Sequence, residues 1–282
     1  MLDTNDIEDA VSDNSCEVPS LNHHYAPAGP LCRFIDIFWY WRKAGLLQGL
    51  ECVLPTGTVE LVIDLDSCRS VDSFICGMKS KPANITDSIQ GNTTSRILGI
   101  HFRPGGVFPF LPFPLQELHN CDITLAELWG EQKANQLLSL IHESKTVYGK
   151  FKLLEQWLFR HMFHPMSHQP AVNMAVRELQ THTGIPIKSL AAKVNLSQKQ
   201  FIQVFQNEMG LTPKLYARIM RFQKVLDTID TNNALDWTEI AMACGYFDQS
   251  HYIHEFREFS GITPTNYLAI RTEHRNHIPL IN

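Results

Sequence analysis

One stretch of the C-terminal third of this chain occurs twice. LAAKVNLSQKQFIQVFQNEMGLTPKLY (190–216) aligns with IAMACGYFDQSHYIHEFREFSGITPTNY (240–267) at an offset of 50 up to an internal turn and 51 after it, the second copy having one extra turn residue. Such a repeat constrains the fold more than composition does, because each copy must be one supersecondary unit with the same parts in the same order. Small residues (Ala191, Ala192; Ala241, Ala243) mark a first short helix, and a turn follows. Ser197 or Asp248 then opens a second helix, each able to accept a hydrogen bond from a free first-turn N–H. Phe201, Val204 and Phe205 in one copy, and Tyr252 and Phe256 in the other, take the inward positions. Gly210 and Gly261 stop both helices where a left-handed residue is wanted, and Pro213 and Pro264 start the next helix, where a missing N–H costs nothing. Two short helices, a tight turn and a polar outer face on the second helix predict a helix-turn-helix unit, present twice.

A second helix of this kind fits a major groove, and two such helices about one turn of DNA apart, roughly 34 Å, read a two-block operator. Pro213 to Ile229 is the expected strut between the units, its seventeen residues spanning about 26 Å as a helix. Over residues 171–270 the region resembles the C-terminal domain of AraC/XylS transcription regulators, carried by SLAAKVNLSQKQFIQVFQNEMGLTPKLY and EIAMACGYFDQSHYIHEFREFSGITPTNY. The resemblance implies seven helices with two helix-turn-helix units bridged by a long one, double-stranded promoter DNA as partner, and RNA polymerase as the machinery acted on. It places the base-reading faces on Gln198, Lys199, Ile202 and Gln203 and on Gln249, Ser250, Ile253 and His254. The family often has Arg where Gln203 and His254 stand; Gln203 suits adenine, and His254 is a weaker, pH-sensitive donor. Arg218, Arg221 and Lys224 share one face of the strut, where phosphate contact and plain solvation are both open.

Ahead of this region the pattern is different. LCRFIDIFWYW, LECVLP, TVELVIDL and RILGIHF are strand-length runs rich in β-branched and aromatic residues, with Pro55-Thr56-Gly57 supplying a tight connection. No helix-length segment interrupts them, so an antiparallel barrel or sandwich, cupin-like in form, is expected, giving an α+β chain with an all-α C-terminal domain. Thr124 is placed to cap a helix through LAELWGEQKANQLLSLI, and a second helix is expected over Tyr148 to Met162. Their apolar stripes serve either a homodimer or packing onto the barrel. The expected organisation is a disordered acidic tail (1–20), a β-rich sensor domain with closing helices (21–163), a linker, HPMSHQP (164–170), and the reading domain (171–272). Residues 22–130 also resemble the variable sensor domains found ahead of such reading domains, through HHYAPAGPLCRFIDIFWYW, LPTGTVELVIDL and LGIHFRPGGVFPFL, which implies a small-molecule effector. Glu60, His101 and Arg103 are the polar residues nearest the strand interiors and the candidates to bind it; an ion pair between Glu60 and Arg103 is the competing account.

Length and charge narrow the classes. At 282 residues two domains are the default. No apolar run reaches the roughly eighteen residues of a membrane span, and the N-terminus is acidic where a secretory signal is basic and then apolar, so a cytoplasmic protein is expected. The net charge is -5; residues 1–169 carry 13 Lys and Arg against 19 Asp and Glu, and residues 170–282 carry 11 against 10. A near-neutral reading domain implies few phosphate contacts and a shallow salt dependence. Seven cysteines at 16, 32, 52, 68, 76, 121 and 244, none two residues apart, read as buried free thiols rather than a disulfide framework or metal site. The 13 histidines include no HExxH, there is no GxSxG and no phosphate-cradling Gly loop, so neither an enzyme nor a cofactor is expected. Two alternatives stand beside the regulator: a protein-interaction module with weakened DNA binding, and a metal-dependent cupin-like barrel enzyme fused to a DNA-binding domain.

Overall fold

The structure, a computed structural model, describes residues 21–44, 51–67, 69–84, 94–231, 236–271 and 275–279. The tail assigned to residues 1–20 lies outside them, as do Cys16 and Cys68. The β-branched and aromatic runs form β1 (Leu21–Tyr25), β2 (Ile35–Ala44), β3 (Glu51–Val53), β4 (Glu60–Asp64), β5 (Phe74–Cys76), β6 (Ala83–Asn84), β7 (Thr94–Phe102) and β8 (Asp122–Thr124). The run beginning at Leu31 becomes extended only at Ile35, because Pro30 and the left-handed Gly29 set a 3-10 turn over Gly29–Arg33.

All pairings are antiparallel, and the larger sheet has the order β1-β2-β7-β4-β5-β8. Its edges do not pair with each other, so among the described residues the expected barrel is an open sheet. Closure requires the first and last strands to share a ladder. Here β8 has three residues and runs straight into a helix, while β1 is packed by another helix. Period-two alternation sends Leu61, Ile63, Leu98, Ile100 and Phe102 inward, all fully buried. On the opposite face Gly99 pairs with Trp39, and a Cβ on Gly99 would lie 2.2 Å from the indole, so only glycine lets Trp39 lie across β7.

Thr124 caps α1 (Leu125–Trp129) through a capping box: Glu127 N donates to Thr124 Oγ1 at 3.1 Å and Thr124 N donates to Glu127 Oε2 at 2.7 Å. The single helix expected there is two, because Gly130 takes φ 82, ψ 149 and breaks it before α2 (Glu131–Glu143). α3 (Val147–Arg160) follows, capped by Thr146. The stripes of α2 and α3 (Leu137, Leu138, Ile141; Phe151, Leu154, Leu158) are buried against their own sheet, where Tyr25 stacks on Phe151 at 6.0 Å and its hydroxyl donates to Glu155 at 3.1 Å. Packing, not a homodimer, uses those stripes.

The C-terminal half consists of α4 (Pro170–Thr181), α5 (Ile187–Lys193), α6 (Gln198–Met209), α7 (Pro213–Thr231), α8 (Trp237–Ala243), α9 (Gln249–Ser260) and α10 (Pro264–Ile270), and ends in β9 (His277–Pro279). β9 was not legible in sequence: it crosses back to pair with β3, whose other neighbour is β6, making a second, three-stranded sheet. The two halves share one core. Residues Leu115–Leu118 lie against α6, and Gln223 Nε2, on α7, donates to Pro55 O at 2.7 Å. The expected linker is pinned rather than free: His164 stacks on Phe108 at 4.6 Å, and buried Glu208 of α6 accepts from His168 Nδ1 and Gln169 N, both at 3.0 Å.

Candidate nucleic-acid interface

The two repeats fold alike. In the first, Leu190 and Ala191 are buried at the helix crossing, Asn195 turns the chain at φ 54, and Leu196 N returns to Ala191 O at 3.1 Å. Ser197 then accepts from Gln200 N, opening α6, and Gly210 stops it at φ 76. In the second, Ile240 and Ala241 are buried, Gly245 turns the chain at φ 84, and Tyr246 N returns to Ala241 O at 2.9 Å. Asp248 accepts from His251 N at 2.7 Å, and Gly261 stops α9 at φ 76. Ala192 and Ala243, expected at the crossings, are exposed; only one alanine of each pair is buried.

Phe201, Phe205, Tyr252 and Phe256 are fully buried, and Val204 is half-buried. That leaves Gln198, Lys199 and Gln203 exposed with Ile202 half-buried on α6, and Gln249, Ser250 and His254 exposed with Ile253 half-buried on α9. Gln203 Nε2 donates to Asn207 Oδ1 at 3.0 Å, one helical turn on, which restrains the amide before any ligand arrives.

Between the units runs α7, nineteen residues and so about 28 Å long. Its basic face is engaged within the chain: Arg218 and Arg221 are ion-paired and only partly exposed, while Lys224 is exposed. Arg221 grips Glu255 through Nε at 3.0 Å and a terminal nitrogen at 2.8 Å, and Arg218 Nε donates to the same carboxylate at 2.7 Å. Arg218 reaches Glu258 at 2.5 Å with its other arm, and Lys224 Nζ donates to Ala243 O at 2.9 Å. Glu255 is 2% exposed, so a carboxylate on the inner side of α9 is neutralised by two guanidinium groups on α7, and the second unit is mounted on the strut by charge. Arg221 also lies over the Tyr246 ring, 4.5 Å from its centroid.

Residues 190–270, spanning both units, match a family described as a helix-turn-helix domain. The C-terminal domain is a DNA-binding helix-turn-helix domain of the AraC type. Residues 23–124, ahead of it, match a domain of unknown function (DUF6597). The chain is 23% identical over 214 residues to "Probable transcriptional regulator LumQ" of Photobacterium leiognathi, covering 70% of this chain and 82% of that one. It is 26% identical over 150 residues to "HTH-type transcriptional regulator GbdR" of Pseudomonas aeruginosa, covering 50% of this chain and 38% of that one. Among solved structures, a "probable AraC family transcriptional regulator" from Rhodopseudomonas palustris superposes with a TM-score of 0.32 at 23% identity, over 36% of this chain and 96% of that one.

Outside the AraC-type domain, the three polar residues singled out in the strands are not brought together. Glu60 and His101 are cross-strand neighbours on the outer face of the large sheet, and His101 Nδ1 lies 2.9 Å from Glu60 Oε1. Arg103 pairs instead with Asp36 at 2.8 Å and donates to Cys32 O, so the Glu60–Arg103 ion pair is corrected to Glu60–His101. Arg103 borders a groove of about 1310 Å³ between the halves, whose walls include Arg33, Phe34, His168, Met174 and Arg177. Of the cysteines, Cys52 and Cys244 are buried as expected, but Cys32 and Cys121 are exposed. Among the described residues no cluster of three or more His, Cys, Asp or Glu could hold a metal ion, and no helix is long and apolar enough to cross a membrane. Sequence reading missed Asn207, Glu255 and Glu258. The four-residue step from Gln203 signals the first, but the ion pairs join residues some forty apart and leave no local trace.

Proposed function

We propose that the chain is a sequence-specific regulator of transcription that reads double-stranded promoter DNA with α6 and α9 in major-groove segments about one helical turn apart. The carrying observation is the repetition, position by position, of turn, N-cap and glycine stop in two units mounted on one unbroken helix. The names of LumQ and GbdR support the same reading. Gln203 is the central reader of the first unit, its amide suited to adenine; Gln198, Lys199 and Ile202 flank it. The second unit reads with Gln249, Ser250, Ile253 and His254. One chain carries both readers, so a two-block operator does not require a homodimer.

Residues 21–163 act as a sensor, 164–170 as a pinned connector and 171–272 as the reader. A small-molecule effector bound near Arg103, or at Glu60 and His101, shifts the population of arrangements in which both helices meet DNA, and so the recruitment or exclusion of RNA polymerase. The test is selection of sheared host DNA by the full chain at two salt concentrations, followed by sequencing. Two enriched blocks one helical turn apart are expected. Absence of any enriched motif, with and without host metabolite extract, overturns the reading.

A further inference from the structure

The two repeats differ by one inserted residue, and the structure identifies it. The left-handed turn residues Asn195 and Gly245, and the returning bonds Leu196 N to Ala191 O and Tyr246 N to Ala241 O, correspond at an offset of 50. The helix caps Ser197 and Asp248, and the stops Gly210 and Gly261, correspond at 51. The residue between Tyr246 and Asp248 is therefore the insertion, and it is Phe247, 89% exposed.

A hydrophobic residue just before a helix cap ordinarily packs back on the fourth residue of the helix, here Tyr252. Tyr246 has taken that place: it is 5% exposed, with its ring 5.4 Å from that of Tyr252. Phe247 is thus displaced to the leading end of α9, beside Gln249 and Ser250, and Met242 of α8 in the same unit is 69% exposed. The N-terminal residues of a reading helix are those that meet base edges, so the surface continuous with Phe247 is the one DNA covers. The leading turns of α9 carry no guanidinium, Arg257 standing in its last turn, and the major-groove feature that an aromatic side chain recognises is the thymine 5-methyl group.

We infer that Phe247 is a specificity-determining residue of the second unit, packing on a thymine methyl in the major groove. The inference rests on the DNA-reading function proposed above. The test measures affinity of the full chain for the selected operator and for versions with deoxyuridine replacing thymine one position at a time in the second block, which removes only the methyl. Wild-type protein should lose about fourfold at one or two of those positions, the worth of one buried methyl. Phe247→Ala should bind the thymine operator more weakly, lose nothing further on the uracil versions and keep the wild-type Tm. Equal weakening of Phe247→Ala on both DNAs, unchanged affinity of Phe247→Ala, as for a residue covered by another protein, or a second block without thymine overturns it. Gln203→Ala on the same operator keeps the two failures apart: if it still loses affinity through the first block while Phe247→Ala does not, only the role of Phe247 falls, whereas no selected operator at all removes the DNA-reading function itself.

Discussion

Glu255 shows how one side chain sets the geometry of a surface it does not belong to. It is buried on the inner side of α9, and its charge is tolerable only because Arg218 and Arg221 meet it. Glu255→Ala leaves two guanidinium groups facing a vacated site and should cost about 3 kcal/mol, read as a lower urea midpoint. Glu255→Gln, which keeps the shape, should cost less. The Glu60–His101 pair is weaker because water reaches both partners, at 39% and 28% side-chain exposure. Burial opposes the His101 charge, but the hydrogen bond and the charge of Glu60 outweigh it and hold the imidazole above its ordinary value of 6.5. The folded chain therefore holds this proton more tightly than the unfolded one. The pair's stabilisation is complete below the unfolded value and is lost as the pH rises through the raised folded one. His101→Gln should flatten the stability profile across that interval, checked by urea midpoints at successive pH values. Neither pair was legible in the sequence: His101 and Arg103 stand two residues apart at and just beyond the end of β7, and only the strand register sets His101 opposite Glu60.

At the level of elements, what was legible was what is local. Ser197, Asp248, Thr124, Gly210 and Gly261 act through bonds three to five residues away, and each caps or stops a helix where the sequence placed it. What was not legible was set by distant partners or by competing local signals: Gly130 divides a stripe whose apolar spacing continues across it, and the three-residue β9 is too short to show a period. The two glycine stops also show that equal backbone need not mean equal tolerance. Both sit at φ 76, but a Cβ on Gly261 would meet nothing nearer than Pro82 Cγ at 3.8 Å, whereas on Gly210 it would fall 2.0 Å from Met78 Cε and 3.0 Å from Leu115 Cγ. Gly261→Ala should cost about 1 kcal/mol of left-handed strain. Gly210→Ala should cost roughly twice that or more, since Met78 and Leu115 of the other half must also move. Thermal unfolding of the two variants side by side checks the contrast.

Across the whole molecule, charge has been spent inward. With Arg218 and Arg221 held by Glu255 and Glu258, the exposed cations of the two units and the helix between them include Lys188, Lys199, Lys214 and Arg257. About four phosphate contacts give a slope of log affinity against log salt of about -4, shallow for a DNA-binding protein. Titration of operator binding across salt tests this, and a slope near -6 would mean that the clamp opens on DNA. The change from strands to helices was legible because the apolar period changes from two to 3.6 along the chain. The closeness of the two halves was not, since short 3-10 turns, loop prolines and the far end of the chain supply the contacts. The return of β9 to β3 fastens the end of the helical half to the β-rich half, while Glu208 fastens its beginning. Heat should therefore not melt the helical half and leave the β-rich half standing. A calorimeter should record one endotherm for this chain, and any ligand that tightens the β-rich half should raise the temperature at which the helix-turn-helix units let go.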